Sequence, residues 1–510
     1  MAAPRSTLDA IAAALRGFGM AIELRKHQLE ALERIFTAER LRTRTGVIVA
    51  DEMGLGKTIT AIAFGLMCQR YSPSHRRPAT LVAVPSPLAD QWRSEVERAV
   101  TPPEGRRTVH LYRGSSRARD FPEGEADDFP CFVVATYDAL KADWCKGDVD
   151  RGPWAVPWHG LVADEAHDFR NPKTRLFQAM ERLSASSTFP LALTGTPVNN
   201  GVADAATMLR FCKVDVPRDV RHLARSGVIV RRRRADVFSS ADLPAAHAHV
   251  IYHPLCDAEL MTHDAFMHRI CASPAQRFAQ VLVSLLRGRQ VCVSASLVAQ
   301  GGEEAWLPEG YVSSRTRVLA SIVEDAVLAR RERVLVFSQW SRALREGAQK
   351  VRELVPESRS AVYDGSLSQA ERCEALRRLE TGEVDVLWLS YAVGNKGLNV
   401  TCANHVILLD PWWNPFVEDQ AVGRCHRLGQ TREVHTYRML SQGTFEEYMC
   451  RVIQPQKRQA SQAVLSDEDV AEEVLSAGFS RKDLERAMGF MRACSKRFLR
   501  AHHHPTPATS

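Results

Sequence analysis

The fold is decided by Ala50 to Thr60, ADEMGLGKTIT, which continues the apolar run Gly46 to Ala50. An apolar run that breaks into a glycine-bearing turn and then a helix-like stretch predicts a strand, a loop and a helix in succession. Gly54 and Gly56 can adopt positive φ, which lets backbone N–H groups approach an anion. Lys57 would bring a positive charge to phosphates. The stretch therefore predicts a loop that cradles a triphosphate.

Neighbouring residues extend this prediction. Thr58 would supply a hydroxyl ligand for Mg²⁺, and Asp51 stands where the full pattern GxxxxGK[ST] has its first glycine. Ahead of the loop, the helical stretch LRKHQLEALERI contains Gln28, whose amide is a candidate for recognising adenine. The candidate nucleotide-binding residues are Gln28, Asp51, Gly54, Gly56, Lys57 and Thr58. An ordinary glycine turn between a strand and a helix is the alternative.

Composition sets outer limits on the class of protein. The chain has 510 residues, of which 45% are hydrophobic and 25% charged, enough for two to three domains with real cores. A net charge of +7 permits a polyanionic partner without requiring one. The 12 cysteines form no CxxC pair, which argues against a zinc module or a disulfide framework and favours a reducing compartment. Without a long apolar run or a signal-type N-terminus, we expect a soluble intracellular protein.

Further apolar runs alternate with helix-like stretches, which predicts a parallel sheet with helices on both faces. One such run, Leu161 to Ala163, leads directly into Asp164 and Glu165. Open α/β sheets bind ligands at the carboxyl ends of their strands. Asp164 would hold Mg²⁺ there, and Glu165 would orient or deprotonate the attacking water. A solvated helix cap is the alternative for this acidic pair.

A series of motifs now shows a family resemblance. The first half contains LRKHQ, DEMGLGKT, VPSPLADQW, DEAH and LTGTP, and the second half contains VLVFSQW, YDGS, GLNVT, LLDPWWNP and DQAVGRCHRLGQ. Over roughly residues 20 to 455 the chain resembles the Swi/Snf-type helicase-like ATPases of helicase superfamily 2, and Asp51 fits their variant of the phosphate loop. The WWNP element followed by QAxxRxxRxGQ best distinguishes this family from other helicases of the superfamily, because RNA helicases of the DEAD and DEAH types lack it.

The resemblance implies an α/β fold with two RecA-like parallel-sheet lobes, a helical connection and an ATP site in the interlobe cleft. The implied domains are an ATP-binding lobe at 1–245, a helical connection at 246–314, a second lobe at 315–455, and a helical extension with a disordered tail at 456–510. In the second lobe we expect strands at 334–337, 384–389 and 405–409.

Two arginines are implied to complete catalysis. Arg424 and Arg427 are three residues apart in a helix-compatible run, which would place them on one face. In the family, the matching arginines reach the γ-phosphate across the cleft and stabilise charge in the transition state. Hydrolysis would then require closure of the lobes. Departures from the family in the loop from Ala392 to Lys396, which links DNA to ATP, place the tightness of that coupling in question.

The resemblance further implies ATP and Mg²⁺ as ligands and double-stranded DNA as partner, with nucleosomes or other DNA-bound proteins as candidate targets, no membrane association, and a location in the nucleus or wherever the target DNA resides. Arg231 to Arg234 resembles the family's lobe-1 terminal segment, and an import signal is the alternative.

Two other functions remain open. A strand-separating DNA or RNA helicase would share the ATP site, and a non-catalytic scaffold would be expected to lack Lys57, Glu165 or Arg427, all of which are present.

Overall fold

The computed structural model describes residues 7–70, 79–122, 129–195, 202–215, 227–239, 242–272, 278–299, 307–394, 398–465 and 485–491. The chain divides into two compact units whose main parts are Met1–Phe238 and Ser239–Arg458. Each unit is built on one parallel β-sheet, so the predicted α/β class with two RecA-like lobes is confirmed. Within the described residues, no helix is both long and apolar enough to cross a membrane.

The first unit contains a seven-stranded sheet in the order β3-β4-β2-β5-β6-β1-β7. Its strands are β1 (Val47–Val49), β2 (Thr80–Val84), β3 (Val109–Tyr112), β4 (Phe132–Thr136), β5 (Gly160–Ala163), β6 (Phe189–Leu193) and β7 (Ile229–Val230). Its helices are α1 (Thr7–Gly17), α2 (Lys26–Ile35), α3 (Ala38–Thr43), α4 (Lys57–Arg70), α5 (Ala89–Ala99), α6 (Tyr137–Lys146), α7 (Arg175–Ser186), α8 (Val202–Phe211) and α9 (Arg234–Val237).

The central strands of this sheet are apolar on both faces. Successive side chains of a strand point to opposite sides, so Ile48 lies in one hydrophobic core while Val47 and Val49 lie in the other. All three are fully buried. A parallel sheet covered by helices on both faces requires such continuous apolar strands, which is why these runs were recognisable in the sequence.

The second unit contains a six-stranded sheet in the order β10-β11-β9-β12-β13-β8. Its strands are β8 (Ala246–His253), β9 (Val334–Ser338), β10 (Ser360–Tyr363), β11 (Val386–Ser390), β12 (His405–Leu408) and β13 (Val434–Ser441). Its helices are α10 (Asp257–Ala272), α11 (Phe278–Val293), α12 (Ser296–Ala299), α13 (Ser314–Glu324), α14 (Ser341–Leu354), α15 (Gln369–Thr381), α16 (Tyr391–Gly394), α17 (Pro415–Val422) and α18 (Phe445–Tyr448). Helix α19 (Gln454–Leu465) begins in this unit, and its residues from Gln459 onward group with the first.

The three strands expected here correspond to β9, β11 and β12. The segment 246–314, expected to be a helical connection, differs in that it opens with strand β8, which pairs in parallel with β13 along all eight of its residues. Its sequence AHAHVIYH lacks the continuous apolar run of a buried strand because β8 lies at the edge of the sheet and is largely exposed. The domain boundaries drawn from the sequence remain predictions.

Four histidines stack across the three outer strands of the second sheet. His405 of β12, His435 of β13 and His247 of β8 share one register row, with successive ring centroids 5.2 and 5.1 Å apart. The next row along the strands brings His249 against Tyr437, with ring centroids 5.0 Å apart. The outer half of the sheet therefore packs through stacked imidazoles where a buried sheet would use aliphatic side chains.

Protonation of two members of the stack, His405 and His435, is disfavoured in the folded protein. Burial lowers the pKa of His405 below its ordinary value, although Glu332 and Asp325 act in the opposite direction. Burial also lowers the pKa of His435, and the three neighbouring histidines and Arg330 lower it further. A group with a lowered pKa in the folded state stabilises the fold above its unfolded pKa, about 6.5 for histidine, and loses that contribution as the pH falls below it.

We therefore expect β8 and β13 to lose protection selectively between pH 7.5 and pH 5.5. The measurement is amide hydrogen exchange, corrected for the intrinsic rate at each pH, on peptides covering 246–253 and 434–441. Strand β2, which contains no histidine, is the internal control within the same sample. A variant with His435→Gln should flatten the pH dependence, because the central imidazole of the stack is then replaced by an amide that does not titrate. Equal loss of protection in β2 and β8 would contradict the prediction.

Candidate active site

Four neighbouring strands end at the same edge of the first sheet. Strands β5, β6, β1 and β7 are adjacent in that order, and all of their pairings are parallel. The residues that follow them are Asp164, Thr194, Ala50 and Arg231 respectively. Because the carboxyl ends of parallel strands lie at one edge, segments far apart in the sequence meet there. The predicted phosphate loop and the predicted carboxylates thus belong to one site.

The phosphate loop has the geometry that its glycines predicted. Gly54 and Gly56 have φ of 89° and 78°, in the left-handed region that L side chains rarely adopt. A Cβ added at Gly56 would lie 2.6 Å from Nε2 of Gln28, so a side chain there would also clash. Helix α4, 14 residues long, begins at Lys57 directly after the loop. Its first N–H groups and the positive end of its dipole form an anion-binding N-terminus, and Thr58 occupies its second position.

Lys57 lies folded over the loop. Its Nζ donates to the carbonyl oxygen of Asp51 at 2.7 Å and lies 3.4 Å from that of Glu52. Burial lowers the pKa of Lys57, while the nearby carboxylates of Glu165, Asp51 and Asp164 act to raise it. Two main-chain carbonyls are replaceable partners for an ammonium group, so Lys57 can exchange them for phosphate oxygens at little cost in hydrogen bonds.

Asp164 is held rigidly at the end of β5. Its Oδ2 accepts a hydrogen bond from Nε1 of Trp92 at 2.7 Å, its Oδ1 accepts one from the N–H of Glu165 at 2.9 Å, and its main-chain oxygen accepts one from the Tyr137 hydroxyl at 2.6 Å. Burial, with the neighbouring Glu165 carboxylate, raises the pKa of Asp164 to about 7. A cation beside this carboxylate would favour its charged form.

Glu165 adopts an uncommon backbone conformation. Its φ and ψ are 51° and 48°, a left-handed conformation that costs a non-glycine residue on the order of 1 kcal/mol or more. Its Oε2 is buried without a hydrogen bond of good geometry, although Nδ1 of His167 lies 3.3 Å away and is itself 3.4 Å from Oγ1 of Thr194. Strain and an unsatisfied buried acceptor are features that accumulate at catalytic positions.

These observations test whether the residues fit ATP and Mg²⁺. Gly54 and Gly56 hold the loop at positive φ, as an anion cradle requires, and the buried Oε2 of Glu165 lacks a hydrogen bond of good geometry to the protein. The Thr58 hydroxyl and the Asp164 carboxylate supply the oxygen donors that Mg²⁺ prefers. The residues present therefore fit both groups. In the LTGTP motif, Thr196 and Pro197 lie outside the described residues.

The structure places Gln28 against the loop itself. Its Nε2 donates to the carbonyl oxygen of Gly56 at 3.3 Å, and its Oε1 accepts from the N–H of Arg25 at 2.9 Å. The adjacent His27 brings Nε2 to 2.9 Å from the carbonyl oxygen of Leu55. Both side chains are buried. Helix α2 thus braces the phosphate loop, a contact the sequence did not predict, and recognition of adenine by Gln28 stays a prediction.

Asp51 is also engaged by the protein. Its carboxylate is 1% exposed and pairs with the guanidinium of Arg232, with Oδ1 3.0 Å from Nε. Glu52 likewise accepts a hydrogen bond from the N–H of Arg234 at 2.9 Å. Sequence analysis counted Asp51 among the nucleotide-binding residues and missed Arg232. The available signal was charge complementarity between two acidic residues after one strand and an arginine run after another, but only the β1 and β7 pairing brings them together.

Arg424 and Arg427 lie in the second unit, and the prediction that a helix carries both of them is wrong. Helix α17 ends at Val422 with Gly423 as its C-cap, so both arginines follow in a turn. The two side chains nevertheless converge, because each donates from Nη1 to the carbonyl oxygen of Leu398, at 3.3 and 3.2 Å. A hydrogen bond from the Val400 N–H to the Arg424 carbonyl, at 3.0 Å, also joins this turn to the segment that contains Leu398.

That acceptor, Leu398, lies in the GLNVT motif, two residues after the segment from Ala392 to Lys396 that departs from the family pattern. Ala392 lies in the short helix α16, whereas Asn395 and Lys396 lie outside the described residues. The arginine motif and the GLNVT motif are therefore neighbours in the second unit, although they are separated in the sequence.

The WWNP element is built into the start of α17. Asn414 caps the helix by accepting a hydrogen bond from the N–H of Phe416, and Pro415 occupies its first position. Trp412 donates its N–H to Oε1 of Glu418 at 2.8 Å. The preceding Asp410 is fully buried, and burial raises its pKa to about 6. The element thus fixes the chain between the end of β12 and the helix that leads to Arg424.

Two known protein families match this chain, one in each of its two units. Residues 27–223 match the SNF2-related domain, and residues 316–429 match the helicase conserved C-terminal domain. The chain is similar to the probable global transactivator of Orgyia pseudotsugata multicapsid polyhedrosis virus, with 29% identity over 84% of this chain and 88% of that protein.

Two further relatives are longer proteins. The chain is 28% identical to the putative ATP-dependent helicase/translocase YwqA of Bacillus subtilis and 25% identical to the DNA repair protein RAD5A of Arabidopsis thaliana. Each match covers 84% of this chain but only 47% and 59% of the respective relative. Since an SNF2-related domain and a helicase C-terminal domain follow one another in a single chain, as the sequence motifs led us to expect, this protein belongs to the Swi/Snf-type helicase-like ATPases.

Proposed function

We propose that this ATPase is DNA-dependent, that it translocates on double-stranded DNA, and that it displaces or repositions proteins bound there. The observation that carries the proposal is the convergence of Lys57, Asp164 and Glu165 at one edge of the first sheet, because movement along DNA needs a complete hydrolytic site. The names of two relatives, a helicase/translocase and a DNA repair protein, describe those proteins and support DNA as the partner here.

Each residue of the first unit has a separate task in this proposal. Lys57 leaves the carbonyls of Asp51 and Glu52 and binds the phosphates. Thr58 and Asp164 would hold Mg²⁺, which would neutralise charge on the phosphate oxygens. Glu165, whose Oε2 is free to accept a hydrogen bond, orients the attacking water and takes its proton. Bracing of the loop by Gln28 keeps the cradle in place while these exchanges occur.

The arginines supply the last part of the reaction. Arg424 and Arg427 share one main-chain acceptor, the carbonyl of Leu398, which either can exchange for a phosphate oxygen. As they belong to the second unit and the cradle to the first, we propose that hydrolysis waits for the two units to close on ATP. DNA held by both units would then be gripped and released once in each cycle. This coupling converts hydrolysis into movement along the duplex.

The partner in this proposal is the phosphate backbone of intact duplex DNA. A protein that follows the backbone contacts phosphates and carries little sequence preference, so its affinity should fall steeply with salt. DNA-bound proteins, nucleosomes among them, would be the objects displaced, and the protein would act in the nucleus or wherever that DNA resides.

A strand-separating helicase is the second candidate, and the WWNP element argues against it. The prediction that separates the two uses a triplex-forming third strand. ATP should drive its displacement, because that needs only movement along the duplex, while a forked duplex should stay paired under the same conditions. Duplex DNA should also stimulate hydrolysis more than single-stranded RNA does.

The control for this experiment is the Lys57→Ala variant, which should bind DNA but displace nothing. ATP-dependent separation of a plain duplex, or stronger stimulation by single-stranded RNA, would replace the translocase with the strand-separating helicase.

A further inference from the structure

The arginine run of the first unit is hydrogen-bonded to the start of the phosphate loop. Strand β7 pairs with β1, and the ladder continues past both strand ends. The N–H of Ala50 donates to the carbonyl of Val230 at 2.7 Å, and the N–H of Glu52 donates to the carbonyl of Arg232 at 3.0 Å. The main chain that enters the nucleotide cradle is therefore held to the last segment before the second unit.

Side chains reinforce this ladder with charge. Arg232 and Asp51 form an ion pair in which the side chains are 12% and 1% exposed. Glu52 accepts from the N–H of Arg234 and lies 3.7 Å from its Nε. Removing one partner of a buried ion pair leaves the other charge uncompensated, which costs far more than losing an exposed pair.

The same acidic segment holds Lys57. The carbonyl of Asp51 accepts from Nζ of Lys57 at 2.7 Å, and the Asp51 carboxylate already acts on the Lys57 ammonium electrostatically. Arg232 thus neutralises a buried carboxylate that would otherwise compete with phosphates for the catalytic lysine. From Arg232 the chain continues through α9 into β8, the edge strand of the second sheet, so this arginine lies on the covalent path between the units.

We propose that Arg232 is a positioning residue that keeps Lys57 available to nucleotide by holding Asp51, and that displacement of the segment leading to β8 is transmitted through this pair to the phosphate loop. The proposal rests on the nucleotide-binding role proposed for Lys57. It assigns to Arg232, within the arginine run, an effect on ATP affinity, which neither an import signal nor a solvated basic patch would have.

The matched control lies in the same run. Arg233 has a side chain that is 67% exposed and pairs with Asp236 three residues on. Binding of a fluorescent ATP analogue to the full chain, and KM and kcat for ATP with duplex DNA present, should be measured for Arg232→Ala and Arg233→Ala. We expect Arg232→Ala to weaken nucleotide binding and raise KM about tenfold or more, with kcat changed much less. Arg233→Ala should stay within about twofold of the unchanged protein.

A rescue variant separates this mechanism from simple damage to the fold. Adding Asp51→Asn to Arg232→Ala removes the charge that would capture Lys57, so the double variant should recover most of the lost affinity. If the double variant binds no better than Arg232→Ala, or if Arg232→Ala behaves like Arg233→Ala, the proposal is overturned.

Two further readouts keep the test decisive. Should Arg232→Ala fail to fold, Arg232→Gln removes the charge but keeps a hydrogen-bond donor, and nucleotide affinity equal to that of the unchanged protein would overturn the proposal instead. Nucleotide binding is measured without DNA, so absence of DNA stimulation would count against the proposed function alone and leave the positioning role to be judged on its own result.

Discussion

Replacing Glu165 by glutamine is expected to lower ATP turnover at least about a hundredfold while leaving nucleotide binding nearly intact. Glutamine keeps the size of the side chain and an oxygen that can orient water, but it cannot accept the proton. In the proposed mechanism that proton goes to the buried Oε2 of Glu165, which has no hydrogen bond of good geometry. The measurements are kcat at saturating ATP and duplex DNA, and the dissociation constant of a fluorescent ATP analogue.

Asp168 provides a matched control for this variant. It lies three residues further along, in the same short helical turn, with a side chain that is 30% exposed and 3.7 Å from His167. Asp168→Asn removes one carboxylate charge from the same turn and should change kcat less than about threefold. Near-normal turnover in Glu165→Gln would rule out its assignment as the water-activating group.

Replacing Arg427 by alanine is expected to reduce kcat on duplex DNA by roughly a hundredfold to a thousandfold, as removal of one charge-stabilising donor does elsewhere. Binding of ATP should weaken much less, because the arginine belongs to the second unit and is proposed to reach the phosphates only in the closed state. Single-turnover kinetics with bound DNA, together with nucleotide affinity, separate the two effects.

Arg432 is the corresponding control, since it lies five residues further on and is 53% exposed, with Glu332 at 3.9 Å as its ion-pair partner. Arg432→Ala should leave kcat within about twofold. Equal losses of affinity and turnover in Arg427→Ala would show that Arg427 contributes to binding of ATP in the ground state, and the transition-state role would then be wrong.

The parts of the site that local rules govern were predictable from the sequence. Gly54 and Gly56 have the positive φ that an anion cradle requires, and Asp164 and Glu165 stand at the end of a buried strand as expected. The strands of the central sheets were recognisable as apolar runs. These features depend on residues next to one another in the chain, where φ preference and side-chain periodicity act directly.

Other features were missed because they depend on the order of strands. Asp51 looked like a loop residue available to nucleotide, yet its carboxylate is buried against Arg232, which follows strand β7 and is 181 residues away in sequence. The contact of Gln28 with Gly56 is not visible in the sequence, and recognition of adenine by Gln28 stays a prediction. Strand β8 was not recognised because an exposed edge strand needs no continuous apolar run.

The sequence by itself determined the fold class, the two lobes, the position of the phosphate loop and the residue types of the candidate hydrolytic site. Tertiary structure alone decided that α17 stops before Arg424, that both arginines share the carbonyl of Leu398, and that Arg232 faces Asp51. A helix or a glycine turn is selected by interactions within a few residues, which the sequence displays directly. The pairing of a charged residue with a carboxylate that is distant in sequence depends on the packing of the whole sheet. Strand order, and not sequence distance, determines which segments are adjacent.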